Sequence, residues 1–118
     1  MDEPTIYHNP RCSKSRATLD LLVGRGFKPR VVNYLDTPPT AIEIGKLLTL
    51  LRLEPRDVIR KDEAEYADLK LSNPALTRKQ LIAAIAAHPR LLQRPIVVAD
   101  GKAAIGRPPE AVLAILEE

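Results

Sequence analysis

The sequence predicts an α/β fold in which a four-stranded mixed sheet is interrupted by an all-helical stretch. Three observations carry that prediction. A strand–helix–strand run occupies Thr5 to Leu35, and the middle of the chain shows helical spacing with two capping boxes and no strand. A strand–Asp-Gly–strand hairpin then precedes a last helix.

Thr5-Ile6-Tyr7-His8 has the β-branched and aromatic content of a short strand, which Asn9-Pro10 breaks. A helical period starts at Ser13, with Ala17, Leu21 and Leu22 expected on its apolar side, and ends at Gly24 and Gly26. Val31 to Leu35 is the second strand. The short crossover makes this a βαβ unit with parallel strands. After Thr37-Pro38-Pro39, Thr40 and Glu43 form a capping box ahead of Ile44, Leu47, Leu48 and Leu51. Pro55 suits the first turn of a short helix through Ile59, and Glu63 to Leu69 adds a turn or two. Thr77 with Gln80 repeats the capping signal before Leu81, Ile82 and Ile85, and His88-Pro89 ends that helix. Arg94-Pro95 introduces a third strand, Ile96 to Ala99. Asp100-Gly101 turns it back into Lys102 to Ile105. The last helix follows Gly106-Arg107-Pro108-Pro109, with Val112, Ile115 and Leu116 facing inward. This order is that of a thioredoxin-like sheet, read as one domain over residues 1–118 with a helical insertion at about 39–89.

A chain of 118 residues can bury a core without covalent staples. Aromatics make up only 3%, so Leu, Ile, Val and Ala must fill it. No apolar run approaches the ~20 residues of a membrane span. Met1-Asp2-Glu3-Pro4 lacks the layout of a signal peptide, so a cytoplasmic location is expected. One cysteine excludes an internal disulfide and a thiolate-rich zinc site, and with only His8 and His88 besides, no metal is expected. A net charge of +3 without aromatic–basic interleaving gives no case for nucleic acid.

The chemistry points to Cys12, set between the first strand and the first helix. The first turn of a helix presents unpaired N–H groups and about half a positive charge, which favour a thiolate over a thiol. Arg11, Lys14, Arg16 and His8 are candidate cationic neighbours. The same N–H array suits a tetrahedral oxyanion. A buried structural cysteine is the alternative, but the flanks Pro10-Arg11 and Ser13-Lys14 are polar. Ser15 completes a Cys-x-x-Ser spacing that reads either as a one-thiol relative of redox motifs or as a helix-surface serine.

The run Ile6-Tyr7-His8-Asn9-Pro10-Arg11-Cys12-Ser13-Lys14-Ser15-Arg16 resembles the active-site segment of the glutaredoxin-coupled arsenate reductase family. Arg94-Pro95-Ile96-Val97-Val98 and Ile105-Gly106-Arg107-Pro108 resemble two further segments of that family. The resemblance implies Cys12 as nucleophile, His8 as the residue helping to lower its pKa, and Arg60, Arg94 and Arg107 as the oxyanion holders. It places Ser15 in the same site and matches Pro95 to the proline of a cis peptide bond. Arg60, within Arg60-Lys61-Asp62-Glu63, reads by itself as solvated surface, whereas Arg94 and Arg107 adjoin strand ends. The implied activity is reduction of arsenate to arsenite by a monomer with no tightly bound cofactor, drawing on glutathione and glutaredoxin. Two other readings stand beside it: a one-thiol oxidoreductase acting on glutathione mixed disulfides, and a regulator that binds RNA polymerase as the related Spx proteins do. Ser15 removes the Cys-x-x-Cys switch those regulators commonly use.

Overall fold

Short β-branched and aromatic runs build the central strands, where Ile6, Ile96 and Val97 are wholly buried. In a computed structural model that describes residues 3–116, the strands are β1 (Thr5–His8), β2 (Arg30–Asn33), β3 (Ile96–Ala99) and β4 (Lys102–Ile105). The sheet order is β2-β1-β3-β4. β1 runs parallel to β2 and antiparallel to β3, and β3 pairs antiparallel with β4. Tyr7 faces Ile96 across one ladder and Ile96 faces Ile105 across the next. The end of β1, the start of β3 and the end of β4 therefore lie at the same end of the strands.

Helix α1 (Ser13–Gly24) connects β1 to β2. Leu22 is wholly buried as the apolar spacing indicates, but Ser15 and Thr18 are buried with it, whereas Ala17 is exposed and Leu21 only partly buried. The reason is hydrogen bonding. Thr18 Oγ1 donates to Lys14 O at 2.8 Å, and Ser15 Oγ is bonded twice, so two buried hydroxyls meet little penalty. Leu22, with Ile6, Val97 and Val112, forms the centre of the core, and Leu19, Leu21, Phe27 and Ile115 pack around it. β2 ends at Asn33, two residues short of the expected Leu35. Asp36 N–H and Thr37 N–H both turn back onto Asn33 O and end the ladder there. The last helical segment, Pro109–Ile115, is 3₁₀ rather than α.

The chain packs as two units. One comprises the described residues up to Thr37 together with those from Arg94 onward; the other is Pro38–Gln93. The second unit is helical, with α2 (Ala41–Leu51), α3 (Pro55–Val58), α4 (Ala64–Asp68) and α5 (Arg78–Ala87). Both expected capping boxes are present, at Thr40/Glu43 and Thr77/Gln80. Ile44, Leu47, Leu48, Leu81, Ile82 and Ile85 are buried where α2 packs on α5. An antiparallel bridge between Ile59 and Leu92 joins the unit's middle to its end. No helix among the described residues is long and apolar enough to cross a membrane.

Gly106 is the one described glycine whose Cβ position is already occupied by neighbours. Its N–H donates to Pro95 O at 3.0 Å. A Cβ at this position would collide with Thr18 Oγ1 and lie 2.8 Å from Pro95 Cγ. Gly106→Ala should therefore destabilise the protein by about 1–3 kcal/mol. Urea unfolding measures this directly, and an unchanged midpoint would show that α1 and the loop before Arg107 are not packed as described.

Candidate active site

The turn Asn9–Cys12 converts the end of β1 into the start of α1. Cys12 is the residue just before the helix, in extended backbone, and its N–H donates to Asn9 O at 3.0 Å. Asn9 in turn fixes the turn from within, its Oδ1 accepting from Arg11 N–H at 2.9 Å. Placed this way, the half-buried thiol sits at the positive end of a 12-residue helix whose first turn carries no acidic side chain.

Ser15 and His8 lock the geometry. Ser15 is wholly buried, its Oγ accepts from Asn9 N–H at 3.0 Å, and it lies 2.6 Å from His8 Nδ1. The hydroxyl therefore ties the helix to the strand end. It is neither a surface group nor turned to a ligand, as the sequence reading had it. The part of Ser15 that reaches the sulfur is its backbone N–H. His8 also takes a different place from the one expected. Burial, with the charge of Arg16, pushes its imidazole below the usual histidine range, so it is neutral near pH 7. It is not a cationic neighbour of Cys12.

The positive charge comes instead from two arginines distant in sequence. Arg94 leads into β3 and Arg107 follows β4, and the two antiparallel ladders return both to the end of β1. Arg107 Nη2 lies 3.6 Å from Cys12 Sγ, and its Nε–H donates to Arg94 O at 2.9 Å. Arg94–Pro95 and Arg107–Pro108 are both cis peptides. Burial pushes the Cys12 thiol up, but other influences outweigh it: the Ser15 N–H, the Arg94 guanidinium, the Lys14 N–H and the charge of Arg107. The thiol is held below its ordinary value. A thiol held below its ordinary value and ringed by donors yields its thiolate more readily, which can attack an electrophilic centre, and the same donors can hold the oxygens of an anion.

Arg60 belongs to the second unit. Its guanidinium donates to Gln93 Oε1 at 3.0 Å and pairs with Asp62 and Glu63, each at 3.5 Å. It is a partly buried, paired cation rather than a solvated surface charge. Among the described residues no group of His, Cys, Asp and Glu side chains is arranged to hold a metal ion. The sequence reading did not single out Gly106. Its signal was the glycine set directly before Arg107-Pro108, a place where the backbone passes close to a neighbour.

A thioredoxin-like sheet with one activated thiol at the strand–helix junction and two arginines across it defines a class of thiol-dependent, anion-handling proteins. The chain belongs to the ArsC family, whose model matches residues 7–115. It is 51% identical over 117 residues to an arsenate reductase of Neisseria meningitidis, covering 98% of this chain and all of that one. It is equally close, at 51% over 112 residues and 94% of both chains, to the uncharacterized Escherichia coli protein YfgD. The solved structure of an arsenate reductase from Vibrio cholerae superposes with a TM-score of 0.94 at 48% identity, covering 96% of this chain and 97% of that one.

Proposed function

We propose that this chain is an arsenate reductase that reduces arsenate to arsenite through a covalent adduct on Cys12, with glutathione and glutaredoxin as external reductants. The observation that carries the reading is the pairing of an activated Cys12 thiol with Arg107 Nη2 at 3.6 Å. The names of the Neisseria and Vibrio relatives point the same way.

Arsenic goes from +5 to +3, so the reaction consumes two thiols, which leave as one disulfide together with arsenite and one water. In this reading the Cys12 thiolate attacks arsenic and an oxygen leaves as water, forming a sulfur–arsenic bond. Glutathione then replaces a second oxygen, and that oxygen also departs as water. A glutaredoxin thiolate attacks the glutathione sulfur, and the sulfur–arsenic electron pair stays on arsenic. Water adds to the reduced arsenic, giving back one of the two released, and frees arsenite and Cys12. The chain holds a single cysteine, so both sulfurs of the product disulfide come from outside and Cys12 is regenerated. Arg94 and Arg107 hold the arsenate oxygens and offset charge as it shifts in the transition state. The same reading assigns Arg60 to the oxyanion; there arsenate competes with Asp62 and Glu63, so the proposal leans mainly on the other two. The chain is taken to work as a monomeric, cytoplasmic enzyme with one functional domain and no tightly bound cofactor.

The test couples the protein to glutathione, glutaredoxin, glutathione reductase and NADPH. Arsenate should trigger NADPH consumption matched by arsenite formation. If a glutathionylated peptide is turned over while arsenate is not, the chain is a mixed-disulfide oxidoreductase and the proposal fails.

A further inference from the structure

One cavity beside the Cys12 turn has no part in the chemistry above. It has a volume of about 330 Å³ and is lined by Asn9, Pro10, Arg11, Asn33, Leu35 and Asp36. The sheet order explains its position. β2 flanks β1 on one side and β3 flanks it on the other, so residues leaving β2 lie across β1 from Arg94 and the β3–β4 hairpin. The cavity and the two arginines thus share a wall, the Asn9–Cys12 turn.

The lining carries an unusual combination. Arg11 and Asp36 supply opposite charges, and among the described residues neither side chain is engaged in an ion pair or hydrogen bond. Asn33 adds a neutral amide, and its Oδ1 is buried with no hydrogen-bond partner. A buried amide oxygen left unpaired is unfavourable, and a modest turn of the side chain would let the amide pair with an incoming peptide group. A free cation, a free anion and an unsatisfied amide around one small cavity complement a ligand with a carboxylate, an ammonium and a peptide bond.

We propose that this cavity binds the thiol co-substrate, a small zwitterionic peptide thiol, with its carboxylate on Arg11, its ammonium on Asp36 and its peptide group on Asn33. The need for such a thiol rests on the arsenate reductase reading; the binding site itself does not. Bound there, the thiol approaches the Cys12 turn from the β2 side and leaves the arginine side to the oxyanion. Both substrates can then be held at once.

S-methylglutathione, which keeps the charges and peptide bonds but has no reactive thiol, is the probe. Titrated into the 15N-labelled protein without arsenate, it should bind saturably at millimolar concentration, with the largest amide shifts at Asn9, Arg11, Asn33 and Asp36. Arg11→Ala and Asp36→Asn should each weaken binding by about fivefold to tenfold, the loss of one charged contact. Amidation of both ligand carboxylates should weaken it by a similar factor in wild type. Absence of saturable binding, shifts centred elsewhere, or affinities that neither variant changes would each overturn the site. Arsenate reduction driven by glutathione, glutaredoxin, glutathione reductase and NADPH is measured separately. Its failure counts against the enzyme reading, whereas failed binding alongside intact reduction counts only against the cavity.

Discussion

Cys12→Ser abolishes arsenate turnover, by at least about 10³-fold, while leaving the chain folded. A serine hydroxyl keeps its proton at neutral pH, so the donors that stabilise a thiolate have no anion to act on. The substitution should not disturb the fold. Position 12 precedes α1 in extended backbone, where serine is among the preferred residues, so unfolding by urea should match or slightly exceed wild type. Measured together, arsenite production and the unfolding midpoint separate lost chemistry from lost structure. Arsenite formation that survives in a folded Cys12→Ser protein would remove the covalent adduct from the mechanism.

Arg107→Ala lowers kcat/KM for arsenate by about 10²- to 10³-fold, the usual cost of removing one preorganised donor to a developing charge. The side chain is held for this role: its Nε–H is tied to Arg94 O, and Gly106 packs the preceding backbone against Thr18 and Pro95. Among the influences that lower the Cys12 thiol, the charge of Arg107 is the last in size. Most of the loss should therefore fall on arsenate, with a smaller rise in the thiol pKa. Arg107→Lys keeps the charge but not the planar fork, and should recover only part of the activity. A wild-type kcat/KM in Arg107→Ala would exclude this residue from the oxyanion site.

Local signals made much of the fold legible. The Asp100-Gly101 hairpin and the capping boxes at Thr40 and Thr77 depend on residues within a few positions of one another, and each forms as its sequence indicates. The face of α1 was only partly legible: Leu22 is buried as its spacing indicates, but apolar spacing cannot register that Ser15 and Thr18 are buried beside it. Ser15 relies on hydrogen bonds to His8 and Asn9 that exist only after β1 and the turn are in place, whereas Thr18 bonds to Lys14 O within the helix.

The site divides in the same way. Cys12 could be read from its strand–turn–helix context. Arg107, 95 positions away, is carried to it by two antiparallel ladders, which no local pattern encodes. Spacing also misdirected the reading of His8 and Ser15. They lie seven positions apart and bond to each other, and burial with the charge of Arg16 keeps the histidine neutral, so it braces the strand end instead of supplying a nearby charge.

The most direct measurement is a titration of Cys12 itself, following thiolate absorbance or the rate of alkylation against pH. Converging N–H groups and arginines should place the midpoint below the ~8.5 of a free cysteine, with Arg107→Ala shifted upward from wild type. A wild-type midpoint at or above that of a free cysteine, unmoved by loss of Arg107, would contradict an activated sulfur at this junction.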